Sequence, residues 1–221
     1  MKRTFRSGAL AFVAALLSLC ALAQTADLST PIPFDPNTKK GTLPNGLTYY
    51  IRKNTEPKNR AQLMLAVRVG SVLEEDPENG LAHFTEHMAF NGTKNFPKNE
   101  LVSFLQKNGI KFGADLNAYT SFDQTVYMLP VPTDSAAVFR RAFDILEDWS
   151  HNLLMDEEEI NKERGVILEE LRGGKGAQQR LRDKYFPIIM NGSQYGKRNV
   201  IGTEELLKSF KPETIRNFYK T

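Results

Sequence analysis

The chain has 221 residues, of which 41% are hydrophobic and 25% are charged, a balance typical of a globular protein rather than a disordered or fibrous one. It contains 29 lysines and arginines against 26 aspartates and glutamates. Lys2, Arg3 and Arg6 account for the excess, so the rest of the chain is formally neutral and its net charge gives no reason to expect a nucleic acid or an anionic membrane as partner.

The first 23 residues have the features of a secretory signal peptide. Their basic start is followed by an apolar run over residues 8–22, and Ala21-Leu22-Ala23 has the small-x-small pattern of a cleavage site. We therefore predict that residues 1–23 are removed on export, leaving a periplasmic chain without a membrane span. The alternative is an uncleaved anchor, for which the run is short compared with the roughly 20 residues that a span requires. Removal would also take away Cys20, the only cysteine, which excludes a thiol mechanism.

After the signal, residues 24–40 are rich in proline and are predicted to form an extended lead-in to a domain over 41–221. Apolar runs bounded by turn residues predict strands at 43–52, 61–69, 112–119 and 124–131. Amphipathic patterns and capping residues predict helices at about 80–91, 99–107, 133–154, 156–172, 177–190, 203–210 and from 211 onward. The nearly continuous apolar run at 61–69 favours a central position in a sheet, whereas Pro130 in the last strand favours an edge or terminal position.

Two of the three histidines of the chain lie in the segment His83-Phe-Thr-Glu86-His87. In a helix, His83 and His87 are one turn apart on the same face, and two imidazoles at this spacing can bind one zinc ion. Glu86 can reach a water molecule on that ion without being a ligand, as a general base must. The order His-x-x-Glu-His is a zinc-peptidase signature. Two histidines alone bind zinc poorly, so a third ligand is expected elsewhere in the chain.

The third ligand is expected to be a carboxylate on the helix predicted to begin at residue 156. The buried stripe of this helix is formed by Ile160, Ile167 and Leu171. Glu163 and Glu170 are seven residues apart and lie at the border of the stripe, whereas Glu169 lies on the opposite face and should be exposed to solvent. For either border glutamate, a buried arginine or lysine is the alternative partner to a metal. Helical geometry alone does not choose between Glu163 and Glu170.

The segment GLAHFTEHMAFNGT at 80–93 resembles the zinc-site segment of the pitrilysin family, the inverzincin zinc metallopeptidases that include insulin-degrading enzyme and the mitochondrial processing peptidase. Three further segments resemble this family in the same order: LPNGLTYY at 43–50, NAYTS at 117–121 with TVY at 125–127, and ERGVILEE at 163–170. The resemblance covers nearly all of the chain after the signal and implies the N-terminal catalytic domain of this family. The implied fold class is α+β, with helices packed on one face of a mostly antiparallel sheet.

The resemblance also implies a role for each candidate residue. One Zn²⁺ ion per chain would be bound by His83, His87 and Glu170. Glu86 would be the catalytic base, and Glu163 would hydrogen-bond to one of the ligands rather than bind the ion. Asn117 and Ala118 would lie on a sheet edge, along which the substrate, a peptide or an unfolded protein, would bind as an added strand.

These expectations lead to two hypotheses about function. The first is an exported zinc-dependent endopeptidase, or its N-terminal catalytic half, that hydrolyses peptide bonds through a zinc-bound water activated by Glu86. Family members have a second homologous half that closes over the site, whereas this chain ends at Thr221, where more strands of the first domain should follow. We therefore expect an incomplete domain that needs a C-terminal half or a partner chain. The alternative is a non-catalytic zinc-binding or assembly subunit of the same family, inactive without such a half.

Overall fold

The structure, a computed structural model, describes residues 29, 31–110 and 117–221, and the chain divides into two units after residue 55. The first unit contains a short hairpin, and the second contains a sheet covered by helices. The predicted signal peptide over residues 1–23 lies outside the described residues.

In the first unit, β1 (Thr38–Thr42) and β2 (Thr48–Arg52) pair antiparallel on either side of a turn with the sequence Pro44-Asn45-Gly46. Gly46 has a φ of 89°, a left-handed conformation that glycine adopts without the steric cost of a Cβ. The predicted strand after this turn is confirmed at β2. Residues 38–40, predicted as part of the extended lead-in, instead belong to β1, whose sequence TKKGT has no apolar pattern from which a strand could be predicted.

The second unit is built on a three-stranded antiparallel sheet. Its strands are β3 (Arg60–Val67), β4 (Asn117–Thr120) and β5 (Thr125–Pro132), in the order β3-β5-β4. The strands predicted at 61–69 and 124–131 are confirmed. The central position predicted for the first is wrong, because β3 lies at an edge of the three strands. Of the two alternatives for Pro130, an edge strand is wrong because β5 is the central strand, whereas a terminal position is confirmed because Pro130 lies near the end of β5. Of the strand predicted at 112–119, residues 112–116 lie outside the described part of the chain.

The burial of side chains shows which face of the sheet is covered. The inward positions of β3 are Ala61, Leu63, Leu65 and Val67, which pack against the core. Met64 between them is 57% exposed, so the other face of this strand is open, as is common in antiparallel sheets. Pro130 is tolerated in the central strand because β4 pairs with β5 only over residues 125–128, and no described strand faces the proline on that side.

Helices make up most of the rest of the second unit. They are α1 (Leu81–Met88), α2 (Glu100–Lys107), α3 (Ala136–His151), α4 (Glu157–Gly174), α5 (Ala177–Ile189), α6 (Glu204–Ser209) and α7 (Pro212–Lys220). Each predicted helix is confirmed with small shifts at its ends, and together with the antiparallel sheet they confirm the α+β fold class. Within the described ranges, none of these helices combines the length and apolar character needed to cross a bilayer.

The core of the second unit surrounds α1, the helix of the histidine motif. Phe84 and Met88 are at most 1% exposed, and the Phe84 ring packs edge-on against Phe210 with 4.9 Å between centroids. Trp149 of α3 closes the other end of α1, where its indole N–H donates to the Ala89 carbonyl (3.0 Å). Eight residues are too few for a stable isolated helix. Packing therefore fixes α1, since burial of each large apolar side chain contributes about 1.5–3 kcal/mol.

The second helix of the site, α4, packs against α1 through its apolar stripe. Ile160 and Ile167 are fully buried, as the sequence predicts. Arg164 fixes the position of α4, because its guanidinium lies 4.0 Å from the centroid of the Phe210 ring and donates to backbone carbonyls in α6 and just after it. Glu169 is exposed on the far side of the helix, which confirms the predicted orientation of α4.

Candidate metal centre

The histidine motif of α1 meets the glutamates of α4 at one place. His83 and His87 lie on the same face of α1, with their imidazole centroids 4.7 Å apart. Glu170 faces both of them: its Oε1 is 3.7 Å from Nε2 of His83, and its Oε2 is 3.4 Å from Nε2 of His87. One possible ligand atom from each residue lies within 4.8 Å of the other two, so these three residues could hold a metal ion.

The separations of these atoms suit a zinc ion. In a tetrahedral site with bonds of about 2.0–2.2 Å, neighbouring ligand atoms are roughly 3.3–3.6 Å apart. The two Glu170 oxygens, one facing each Nε2 atom, lie at 3.4 and 3.7 Å, within and just above this range. Two imidazole nitrogens and one carboxylate oxygen are a ligand set of catalytic zinc sites, which keep a fourth position for water or substrate. The residues present therefore fit the predicted ion.

Glu163 lies on the other side of His87. Its Oε1 accepts a hydrogen bond from Nδ1 of His87 (2.8 Å), and its Oε2 accepts one from the side-chain amide of Asn91 (2.5 Å). A carboxylate that accepts a hydrogen bond from Nδ1–H fixes the tautomer and the orientation of the ring, so that Nε2 is free to bind a metal. The two glutamates that helical geometry left open thus lie at different nitrogens of the same imidazole.

The two histidines have opposite pKa shifts because their surroundings differ. Burial, helped by the neighbouring His87, lowers the pKa of His83 to about 4. Burial would also lower the pKa of His87, but its hydrogen bonds to Glu163 and Glu170 raise it to about 9. The hydrogen bond from His87 in turn lowers the pKa of Glu170, and it lowers that of Glu163 despite the burial of this carboxylate. Without metal, His83 is therefore neutral near pH 7, whereas His87 is a cation between two carboxylates.

The ion pair between His87 and Glu163 should make the free energy of unfolding of the metal-free protein depend on pH. The stabilising contribution of His87 is fully present below its unfolded pKa of 6.5 and is lost as the pH rises through about 9. The contribution of Glu163 is present above its unfolded pKa of 4.5 and is lost as the pH falls through its lower folded value. In the presence of a chelator, Glu163→Gln should lower the free energy of unfolding by roughly 1–3 kcal/mol near pH 6.5 and by clearly less near pH 10. Urea unfolding of both proteins measures this, and a difference that does not shrink at high pH would contradict it.

Glu86, the predicted base, lines the same cleft from α1. Its Oε2 accepts a hydrogen bond from the hydroxyl of Thr120 (2.6 Å). The Thr120 hydroxyl lies 3.2 Å from the hydroxyl of Thr125, and the Thr125 hydroxyl donates to the Val69 carbonyl (2.9 Å). Burial raises the pKa of Glu86, and the hydrogen bond from Thr120 partly offsets this rise. Thr120 has no role among the residues predicted from sequence, although the two-residue alternation of β4 places it on the same side as Ala118.

The candidate site lies in a cleft of about 850 Å³ lined by side chains from α1, β4, α4 and the segments that follow. Of the two residues predicted to bind substrate, Ala118 lines this cleft, whereas Asn117 is exposed and is not part of its lining. The Asn117 side chain accepts a hydrogen bond from the Ala118 N–H (2.9 Å). One edge of β4 pairs with β5, and no described strand pairs with its other edge.

Known proteins are similar to this chain in sequence. The insulinase family (peptidase family M16) matches residues 49–204. The probable zinc protease PqqL of Haemophilus influenzae is 39% identical over 206 residues, which cover 92% of this chain and 22% of that protein. The zinc protease PQQL-like protein of Arabidopsis thaliana is 42% identical over 180 residues, which cover 81% of this chain and 19% of that protein.

Solved structures give the same result. The crystal structure of the periplasmic protease PqqL from Escherichia coli matches with a TM-score of 0.83 and 37% sequence identity. The match covers 86% of this chain and 21% of that chain. This chain therefore spans about a fifth of the length of the relatives it matches.

Proposed function

Because the chain belongs to the insulinase family of peptidases (M16), we propose that it is the zinc-binding N-terminal part of an exported metalloendopeptidase. The observation that carries this proposal is the convergence of His83, His87 and Glu170 in one cleft. Glu86 lines the same cleft, as a catalytic base must. Relatives named as zinc proteases support zinc as the metal, and one ion per chain is the proposed content.

In the proposed mechanism, each residue has a separate task. The ion, when bound, acts as a Lewis acid that polarises the scissile carbonyl and increases the acidity of water. Thr120 holds Oε2 of Glu86, which leaves Oε1 to accept the proton of the attacking water and to return it to the leaving amine. The raised pKa of Glu86 suits this role, because a group that first accepts and then donates a proton works best when its pKa lies closer to the working pH. Glu163 keeps the His87 ring in the orientation needed by Nε2.

We further propose that the substrate is an extended peptide or an unfolded protein segment that adds to the outer edge of β4. The unpaired edge of this strand in the described sheet supports this position. Ala118 would contact the bound segment within the cleft, and Asn117, whose side chain accepts a hydrogen bond from the Ala118 N–H, would contact it beside the cleft. The matched part of this chain covers only about a fifth of each of these relatives, which supports the need for a C-terminal half or a partner chain to complete the cleft.

Export to the periplasm is part of the proposal. It is supported by the signal-like sequence of residues 1–23 and by the description of the Escherichia coli relative as a periplasmic protease. Expression of the chain in a bacterium, followed by fractionation and N-terminal sequencing, tests it. The mature protein is expected in the periplasmic fraction with Gln24 as its first residue.

Zinc should bind with a stoichiometry of one and should stabilise the fold. At a free concentration of about 100 times Kd, it should raise the free energy of unfolding by about 2.7 kcal/mol, because it binds the folded state only. His87→Ala should lose this effect, whereas His151→Ala, on the exposed end of α3, should retain it. Metal analysis and thermal unfolding with and without a chelator measure both quantities. Equal stabilisation of all three proteins would contradict the proposed site.

Peptide hydrolysis separates the peptidase from a non-catalytic subunit. We expect the chain, supplied with a C-terminal half, to hydrolyse a quenched fluorescent peptide in a zinc-dependent reaction. A protein that binds zinc but hydrolyses no peptide, alone or with that half, would instead support an assembly subunit of the same family.

A further inference from the structure

A buried carboxylate outside the metal centre holds the start of α1. Glu74 is only 2% exposed. Its Oε2 accepts hydrogen bonds from the Gly80 N–H (2.9 Å) and the Asn79 side-chain amide (3.0 Å), and its Oε1 accepts one from the Ala82 N–H (2.9 Å). The N-cap position of α1 is occupied by Gly80, which has no side chain for this purpose. Glu74 therefore caps the helix from outside and satisfies backbone N–H groups that a helix start leaves unpaired.

The backbone around this cap is fixed on two sides. Arg198, whose side chain is 4% exposed, donates from Nε (3.0 Å) and Nη2 (2.6 Å) to the Glu74 carbonyl and from Nη1 to the carboxylate of Asp76 (2.9 Å). Gly80 has a φ of 102° and lies against Gly202, so that a Cβ on Gly80 would come within 2.7 Å of the Gly202 Cα. The first turn of α1 is therefore held by the segment before it and by the loop after residue 197.

The two histidines differ in what holds them. His87 is oriented by its own hydrogen bond to Glu163. His83 has no equivalent contact, because its Nδ1 is buried without a hydrogen-bond partner among the described residues. The position of the His83 imidazole therefore depends on the backbone of α1, and the residue directly before it, Ala82, is the one that the Glu74 carboxylate binds.

From these contacts we propose that Glu74 is a positioning residue of the metal site, which holds His83 in place opposite Glu170 by fixing the first turn of α1. This inference rests on the proposed zinc function. A displacement of this turn changes the 3.7 Å separation between His83 Nε2 and Glu170 Oε1 and leaves the His87–Glu163 contact in place.

Glutamine at position 74 is a sharp test of this role. Both oxygens of the carboxylate accept hydrogen bonds from N–H groups, so the amide of glutamine must place its own N–H donors against either Gly80 and Asn79 or Ala82. The substitution keeps the shape of the side chain and removes part of the cap. Burial raises the pKa of Glu74 to about 7, against the effect of its hydrogen bonds, so the comparison is made near pH 8, where the carboxylate is ionised.

The experiment compares the wild-type chain with Glu74→Gln and with Leu105→Ala. Leu105 is 1% exposed on α2, a helix that contributes no residue to the lining of the cleft, so its truncation weakens the fold without touching the site. Zinc affinity is measured by competition with a chelator, site geometry by the visible absorption of the cobalt(II)-loaded protein, and stability by the thermal midpoint. Glu74→Gln should weaken zinc binding by about 10–100-fold and alter the cobalt spectrum. Leu105→Ala should lower the midpoint and leave affinity and spectrum unchanged.

Each outcome decides between a positioning and a merely structural role. Wild-type zinc affinity and an unchanged cobalt spectrum in Glu74→Gln, with a lowered midpoint, would overturn the inference. Failure of the wild-type chain to bind zinc would instead overturn the proposed function. Glu74→Asp is measured in parallel, since aspartate keeps the charge but is too short to reach Gly80 and Ala82 together. If Glu74→Gln does not fold, unchanged zinc affinity in Glu74→Asp overturns the inference.

Discussion

Replacement of Glu86 by glutamine should nearly abolish peptide hydrolysis and leave zinc bound. Glutamine has nearly the same shape and can keep the hydrogen bond from Thr120, but it cannot accept a proton from the attacking water. General acid–base catalysis contributes about 10²–10⁴-fold to a rate, so kcat should fall by a factor of that order. Hydrolysis of a quenched fluorescent peptide by the chain and a supplied C-terminal half measures the rate, and metal analysis of the same samples measures zinc.

The matched control is Glu100→Gln, which makes the same chemical change at an exposed position in the first turn of α2. It should retain both the wild-type rate and the wild-type zinc content. A Glu86→Gln protein that hydrolyses peptides at the wild-type rate would exclude Glu86 as the base. A Glu86→Gln protein that has lost its zinc would show that this carboxylate supports metal binding, and the mechanism would have to be revised.

The parts of the fold that could be predicted are those encoded by local patterns. The spacing of His83 and His87 needs only a helix to bring them together, and the amphipathic pattern of α4 is enough to place Glu169 in solvent. The order of the strands depends on pairing over long distances in the chain. An apolar run such as that of β3 is compatible with a central or an edge strand, and only the pairing of β5 with both neighbours decides between them.

The contacts that complete the site are also long-range, and this explains which residues the sequence did not reveal. Glu74 reaches Ala82 by passing over the start of α1, and Thr120 reaches Glu86 across 34 positions of the chain. Neither contact leaves a spacing pattern. An alternation argument could have found Thr120 once Ala118 was assigned to the cleft, whereas Glu74 is one of several acidic residues before α1 and only its burial distinguishes it.

The choice between Glu163 and Glu170 also depends on contacts that the sequence pattern of one helix does not show. Both glutamates lie at the border of the apolar stripe, so the geometry of α4 treats them alike. Their difference arises from the neighbouring helix, since Glu163 meets Nδ1 of His87 and Glu170 meets Nε2 of both histidines. The family resemblance assigns Glu170 as the ligand, and this assignment remains a prediction that substitution can test.

The three glutamates of α4 should respond differently to the same substitution. Glu170→Gln should weaken zinc binding most, because an amide is a much poorer zinc ligand than a carboxylate, and the Glu170 oxygens lie 3.4 and 3.7 Å from the two Nε2 atoms. Glu163→Gln should weaken it by about 10–100-fold, since glutamine still offers an acceptor to Nδ1 of His87 but lacks the negative charge. Glu169→Gln should have no effect, because this side chain is exposed and is not part of the cleft lining.

Competition with a chelator measures zinc affinity in the three variants at one pH. All three make the same chemical change on the same helix, so any common effect on helix propensity or net charge cancels in the comparison, and the differences report the contacts of each side chain. A larger loss in Glu163→Gln than in Glu170→Gln would exchange the proposed roles of the two residues. Equal affinities for Glu170→Gln and Glu169→Gln would exclude Glu170 as the third ligand.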